Sequence, residues 1–183
     1  MTTVSNEIVK LLASDGVENN RLGVDVTIGD DVAIVLDLCG NAYVFKTTDS
    51  GTTWTETQKF TTNDNPNTNF SSCNISGNLA ILSKEAGGSA ALPGQGAYIF
   101  KTTDGGSTWI EKKKLTSSTH SYGRYSAISG NLAIVSNYQD EEVEIYKTTD
   151  DGDTWALAAT LTSQSGNTFT HPLFFKIRHF CFT

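Results

Sequence analysis

Proline and methionine are scarce in this 183-residue chain, at three and one, and cysteine is as rare at three. Cys39, Cys73 and Cys181 are odd in number and lack paired spacing, which argues against a disulfide framework or a cysteine zinc site and leaves small buried hydrophobes as the expectation. No apolar run approaches the ~18 residues of a membrane span, and no basic region followed by an apolar stretch opens the chain. Neither membrane insertion nor a signal peptide is therefore expected. The compartment is unknown from sequence, with a cytoplasmic location as the default. Basic charge is also in short supply: Lys and Arg number 13 against 20 Asp and Glu, for a net charge of -7. Nucleic-acid affinity rests on basic clusters that neutralise phosphates, so a nucleic-acid partner is not expected. The single basic run, Lys112-Lys113-Lys114, follows a Trp in an expected outer strand and reads as a solvated face that protects a sheet edge.

What the chain does have is an internal repeat of about 50 residues, in the range where periodicity decides the fold. Lys46-Thr-Thr-Asp49-Ser-Gly51-Thr-Thr-Trp54 recurs as Lys101-Thr-Thr-Asp104-Gly-Gly106-Ser-Thr-Trp109 and as Lys147-Thr-Thr-Asp150-Asp-Gly152-Asp-Thr-Trp155. A second motif is locked to it: Ile28-Gly-Asp-Asp31-Val-Ala-Ile34, Ile75-Ser-Gly-Asn78-Leu-Ala-Ile81 and Ile128-Ser-Gly-Asn131-Leu-Ala-Ile134. A Lys-apolar pair (Lys10-Leu11, Lys59-Phe60, Lys114-Leu115) marks the start of each unit. Apolar residues alternate or form short runs between turn residues, a period near 2 that predicts strands. The expected architecture is all-β, a single array of four-stranded antiparallel units over 10–58, 59–113 and 114–159. Residues 160–183 begin a fourth unit and end in an aberrant tail, where 170–183 hold four of the nine Phe. In the second unit the strands are expected at 70–76, 78–83, 97–103 and 107–114. The turn that includes Asn or Asp after Gly should be a tight hairpin needing positive φ.

The segment Thr-Thr-Asp-x-Gly-x-Thr-Trp resembles the Asp-box, or BNR repeat, of sialidases, sortilin-like receptors and photosystem assembly factors. The Ile-Ser-Gly-Asn-Leu-Ala-Ile segment is similar to integrin-α-like (FG-GAP-like) blades. Together the resemblances cover 10 to about 160 and imply a β-propeller. Asp49, Gly51, Trp54, Asp104, Gly106, Trp109, Asp150, Gly152 and Trp155 are then structural: the Asp accepts N–H groups of its own turn, Gly takes the left-handed position and Trp covers the hairpin. One carboxylate per hairpin on separate blades makes no shared metal or catalytic site. Propellers close with 4 to 8 blades, so three imply a truncated or frame-shifted end to a longer propeller. The alternatives are completion of a ring by self-association, or an open arc.

In a four-strand meander, connections alternate between two ends of the sheet. The Asp-box and Ser-Gly-Asn turns share one face. The inter-unit loops (11–22, 60–70, 115–124) and the loops joining second and third strands (36–41, 83–96, 136–142) share the other. That second face varies most, with a long insertion from Lys84 to Gly96, and rigid repeats presenting variable loops commonly bind partners. Lys84, Glu85, His120, Tyr122 and Arg124 are the ligand-binding candidates, with Tyr125 read as an inward residue matching Phe70. Asp15, Glu18 and Arg21 read as solvated loop charges. Sialidase chemistry would need an arginine cluster with a Tyr, Glu and acid, but only Arg21, Arg124 and Arg178 exist. Glycoside hydrolysis in general needs two carboxyls facing across ~5–9.5 Å, and oxygen-rich calcium loops of the Asp-x-Asp-x-Asp-Gly kind are lacking. The expectation is a non-enzymatic scaffold with no catalytic residue, metal or cofactor, presenting its loops to a protein or glycan partner. The alternative is part of a sialidase-like glycoside hydrolase whose catalytic blades lie outside this chain.

Overall fold

The computed structural model describes residues 9–85, 92–117, 121–138 and 140–162. These form twelve strands and no helix: β1 (Asp25–Gly29), β2 (Val32–Leu36), β3 (Ala42–Lys46), β4 (Thr55–Lys59), β5 (Ser72–Ser76), β6 (Leu79–Lys84), β7 (Gly96–Lys101), β8 (Ile110–Leu115), β9 (Tyr122–Ser129), β10 (Leu132–Asn137), β11 (Glu142–Lys147) and β12 (Ala156–Thr162). They pair antiparallel in chain order as three four-stranded sheets, β1 to β4, β5 to β8 and β9 to β12. The all-β, open propeller-like array expected from the repeats is what forms. Thr160 to Thr162 are the end of β12, with Thr160 opposite Glu144 and Thr162 opposite Glu142. The aberrant tail, 170–183, lies outside the described residues.

Sequence sets the strand order within each sheet. Central strands such as Val-Ala-Ile-Val-Leu in β2 and Gly-Ala-Tyr-Ile-Phe-Lys in β7, apolar up to its final Lys101, are buried on both faces, whereas β4 and β8 are polar outer strands. Each first hairpin has a two-residue loop whose leading residue has positive φ: Asp30 (48°), Gly77 (56°) and Gly130 (53°). In the second sheet β6 keeps its expected length one residue later, and the other three strands are shorter than the apolar pattern suggests. The third stops at Lys101 because the Thr102 hydroxyl turns into the next bend, and the fourth starts at Ile110, after Trp109 has closed that bend.

The core lies between sheets rather than within one. Val32, Ile34, Leu36, Ala42 and Val44 of the first sheet pack against Phe60, Phe70, Cys73, Ile75, Leu82, Tyr98, Phe100 and Trp109 of the second unit. Leu79, Ile81, Ala97 and Ile99 of the second then meet Tyr122, Ile128, Ala133, Val135, Tyr146 and Trp155 of the third. First strands β1, β5 and β9 lie side by side and are stitched by side chain to backbone bonds: Cys73 N donates to Asp25 Oδ2 (2.9 Å) and Ile128 N to Asn74 Oδ1 (2.9 Å). Cys73 is buried as expected, Cys39 is exposed instead because it sits in the turn before β3, and Cys181 lies outside the described residues.

Candidate functional site

Three aspartate turns line one face, and their geometry is the same each time. In the second, Asp104 Oδ1 accepts Thr108 N (2.8 Å), Oδ2 accepts Thr108 Oγ1 (2.6 Å), and Trp109 Nε1 donates to Gly106 O (3.2 Å). Asp49 and Asp150 hold Thr53 and Thr154 likewise, and Trp54 and Trp155 reach Gly51 and Gly152. Sequence reading overlooked the first Thr of each Thr-Thr-Asp. Thr47, Thr102 and Thr148 are buried, and each hydroxyl donates to the Asp and accepts the N–H of the turn Gly. Being bound this way lowers all three carboxyls. The hydroxyl of Thr108 acts most strongly on Asp104, the N–H of Thr53 on Asp49, and the hydroxyl of Thr154 on Asp150, which falls to about 2. Each carboxylate is consumed by its own turn, so chemistry would have to come from elsewhere.

The second and third turns also dock on the sheet before them. A Cβ on Gly106 would stand 2.2 Å from Val32 Cγ2, and one on Gly152 2.3 Å from Leu79 Cδ2. Only glycine permits this approach at φ near +89°. Lys46 Nζ donates to Ser107 Oγ (3.0 Å) and Asp104 O (3.4 Å), while Lys101 pairs with Asp151 (3.2 Å) and Asp153 (3.1 Å). Lys112 joins Asp153 at 2.8 Å, and Lys114 joins Asp64 at 2.7 Å. Two of the three residues of the basic run are thus tied to carboxylates rather than free in solvent. Recesses between consecutive sheets, one along Asp30, Asp31, Gly77 and Gly105, belong to these joints. Among the described residues no cluster of His, Cys, Asp and Glu could hold a metal ion.

The opposite face holds a second repeated device that sequence reading also missed. Tyr43 donates to Asp15 (2.8 Å), Lys59 pairs with Asp15 (2.7 Å), and Lys59 lies 5.2 Å over the Tyr43 ring. Tyr98, Asp64 and Lys114 repeat it, with Lys114 5.4 Å over the Tyr98 ring. Asp15, an exposed loop charge as expected, also clasps the leading loop to the sheet, and the Lys59 and Tyr43 bonds lower its pKa. A signal was present: Lys59 and Lys114 follow Tyr43 and Tyr98 at the same distance along the chain. The third unit reverses the polarity. Glu144 stands where Tyr43 and Tyr98 stand, and accepts the hydroxyls of Tyr122 and Tyr146. Burial is the main reason that both phenols rise, Tyr146 to about 12.

Of the five ligand-binding candidates, the structure brings Glu85 and Arg124 together (3.6 Å) with Lys84 adjacent at the end of β6. His120 lies outside the described residues. Tyr122 is a correction: it is fully buried, with its hydroxyl on Glu144 beneath the face, so its side chain cannot meet a ligand at the surface. Tyr125 is a second. Side chains alternate along a strand, and at an odd distance from inward Ile128 it takes the opposite side of β9, 38% exposed. Tyr122 fills the inward place instead. Arg124 lies over both Tyr125 (5.7 Å) and Tyr138 (6.0 Å). Tyr138, 55% exposed in the loop after β10, was not anticipated.

No family model matches the chain. No curated protein matches it either. Among solved structures, it is similar to Saccharomyces cerevisiae Sqt1, a WD40 propeller protein, with a TM-score of 0.58 and 7% identity over 80% of this chain and 36% of that one. It is also similar to YCF48, solved bound to D1 peptide, with a TM-score of 0.47 and 23% identity over 76% of this chain and 40% of that one. The chain therefore spans well under half the length of either. Among the described residues no helix is long and apolar enough to cross a membrane. The likeness to Sqt1 rests on shape rather than sequence, and it places these three stacked sheets in the β-propeller fold.

Proposed function

We propose that this chain is a non-enzymatic Asp-box propeller scaffold whose variable face binds a protein partner. The observation that carries the reading is Arg124, half-exposed at the start of β9 and flanked by the exposed rings of Tyr125 and Tyr138 with Glu85 beside it. Arg and Tyr are the residue types that dominate binding energy at protein interfaces. Loops on a rigid scaffold supply the variable part. The Thr-Asp-Gly-Thr-Trp hydrogen bonds support the Asp-box assignment, since they explain five of the motif's six fixed positions, all but the second Thr. Support for a non-catalytic role comes from where the carboxylates are spent: Asp49, Asp104 and Asp150 in turns, Asp15 and Asp64 in Tyr-Lys clasps, and Glu144 under two phenols.

The partner best matched to a guanidinium between two phenol rings is a peptide segment carrying a carboxylate beside an apolar side chain. Selection of displayed random peptides on the chain, with a glycan array run in parallel, tests this. Acidic-apolar peptides should be enriched, and Arg124→Ala or Tyr138→Ala should each weaken them ~10-fold or more, the effect of losing ~1.4 kcal/mol at an interface. Glycan binding without peptide binding, or peptides indifferent to both substitutions, would overturn the reading.

A further inference from the structure

Each joint between sheets has two halves, and one of each is left over. The leading half is an aspartate turn with its Gly, the apolar residues of a first strand and the covering Trp. The trailing half is the first residue of a second strand, the apolar residues beside it and the Lys that ends the third strand. In the two formed joints these meet as Gly106 on Val32 with Lys46, and Gly152 on Leu79 with Lys101.

The first unit's leading half meets no other sheet: Leu11, Ala13, Leu22 and its own Trp54 cover Ala33, Val35, Tyr43 and Phe45, but its first strand and turn Gly are left open. Val26 and Ile28 are 60% and 67% exposed, while Cys73 and Ile75 in the same places of the second are buried. A Cβ on Gly51 would meet only its own Trp54, at 3.9 Å. The third unit's trailing half is also open, to a lesser degree. Leu132, Ile134, Val143 and Ile145 are half-buried, whereas their counterparts in both earlier sheets are buried. Lys147, matching Lys46 and Lys101, is exposed and has no acidic partner among the described residues.

We infer that the trailing face of the third sheet takes the leading face of the first sheet of a second copy of this chain, head to tail. Both surfaces are the two sides of a joint the molecule already makes twice, so the fit requires no new chemistry. Leu132 would take the place under Gly51 that Val32 takes under Gly106. Lys147 would reach the Asp49 carbonyl and the Thr52 hydroxyl, as Lys46 reaches Asp104 and Ser107. Two such joints in one dimer give a ring of six sheets, within the 4 to 8 of closed propellers, and head-to-tail contacts form rings when the rotation closes.

Light scattering on the 183-residue chain after size exclusion tests the inference, with Ile28→Asp on the leading face, Leu132→Asp on the trailing face, and the milder Lys147→Glu at an exposed position. Wild type should elute at twice the mass of one chain, and each variant at the mass of one, with cooperative melts by circular dichroism. An equimolar mixture of Ile28→Asp and Leu132→Asp should regain dimer in part, held by the one joint of the two in which both faces are unaltered. A wild type that stays single at ~100 µM, or a dimer that survives all three substitutions, would overturn the inference. Peptide selection at Arg124 and Tyr138 is scored separately and can fail or succeed without it.

Discussion

Leu79, Ile81, Ala97 and Ile99 of the second sheet, and Leu132, Ile134, Val143 and Ile145 of the third, are the same four places in consecutive repeats. The first set is sealed against Tyr122, Ile128, Val135 and Tyr146, and the second is half open. The residue types hardly differ, since both sets are aliphatic and both follow the same hairpin. On these trailing faces burial is thus a property of having a neighbour rather than of the strand itself, as expected of arrays in which each unit contacts only adjacent ones, whereas Ala33, Val35, Tyr43 and Phe45 of the first sheet are covered by Leu11, Ala13, Leu22 and Trp54 of their own unit. The same contrast separates Trp54, partly exposed, from Trp109 and Trp155, which are buried.

The sharpest way to break the comparison is at the turn glycines. Gly106 and Gly51 share a φ of 89°, so alanine at either strains the backbone by about 1–2 kcal/mol. Only at Gly106 does the added methyl also collide with Val32, which should add about 1–3 kcal/mol. Urea midpoints measured in the Lys147→Glu background, which keeps the array ends apart, should therefore place Gly106→Ala well below Gly51→Ala. Adding Val32→Ala should narrow the gap. Equal losses at the two glycines would mean that the joint yields and does not lock.

A smaller contrast tests the aliphatic faces. Ile34 is fully buried in the first joint and Ile134 is half-buried at the open end. Truncation to alanine should cost about 3–4 kcal/mol at Ile34, the middle of the range for core Ile, and about 1–2 kcal/mol at Ile134, whose transfer term is roughly halved and which leaves no enclosed cavity. Denaturant titration of both in the same background checks this. Similar losses would show that the third sheet's face is covered in solution.

Sequence carried the repeat because each unit needs the same local chemistry: a positive φ after β1, β5 and β9, and an Asp, Gly and Trp to close the last hairpin. Those needs are local, so motif and structure agree. The clasps of Tyr43 with Asp15 and Tyr98 with Asp64 were hidden because the Asp sits in loops of unequal length, which blurs its spacing although the Tyr to Lys interval is constant. Glu144 was hidden for a different reason. In the third unit the carboxylate has moved onto the strand and the phenol onto Tyr122, so the same contact is made by exchanged residue types. Of the site, Glu85 and Arg124 could be read together from the loops. Tyr138 could not, since its pairing with Arg124 depends on how β9 begins and β10 ends.

The smallest expected effect concerns acid and again separates local from inter-sheet contributions. The Thr154 hydroxyl, the Thr154 N–H and the Thr148 hydroxyl hold the Asp150 carboxyl at about 2, against 3.8 for an unperturbed one. As pH falls the unfolded chain takes up this proton before the folded chain does. Whatever stability the turn lends is therefore complete above pH ~4 and is lost as pH falls through 3.8 towards about 2. Asp49 and Asp104 shift in the same direction and add to the slope. Asp150→Asn should melt lower than wild type at pH 7, because an amide cannot accept from both Thr154 groups as the carboxylate does. Its melting temperature should then decline less between pH 4 and 2, so that the two curves converge. Parallel curves would mean that Asp150 titrates alike in both states, and the acid sensitivity of the array would then rest on carboxylates that join sheets, such as Asp153 with Lys101 and Lys112.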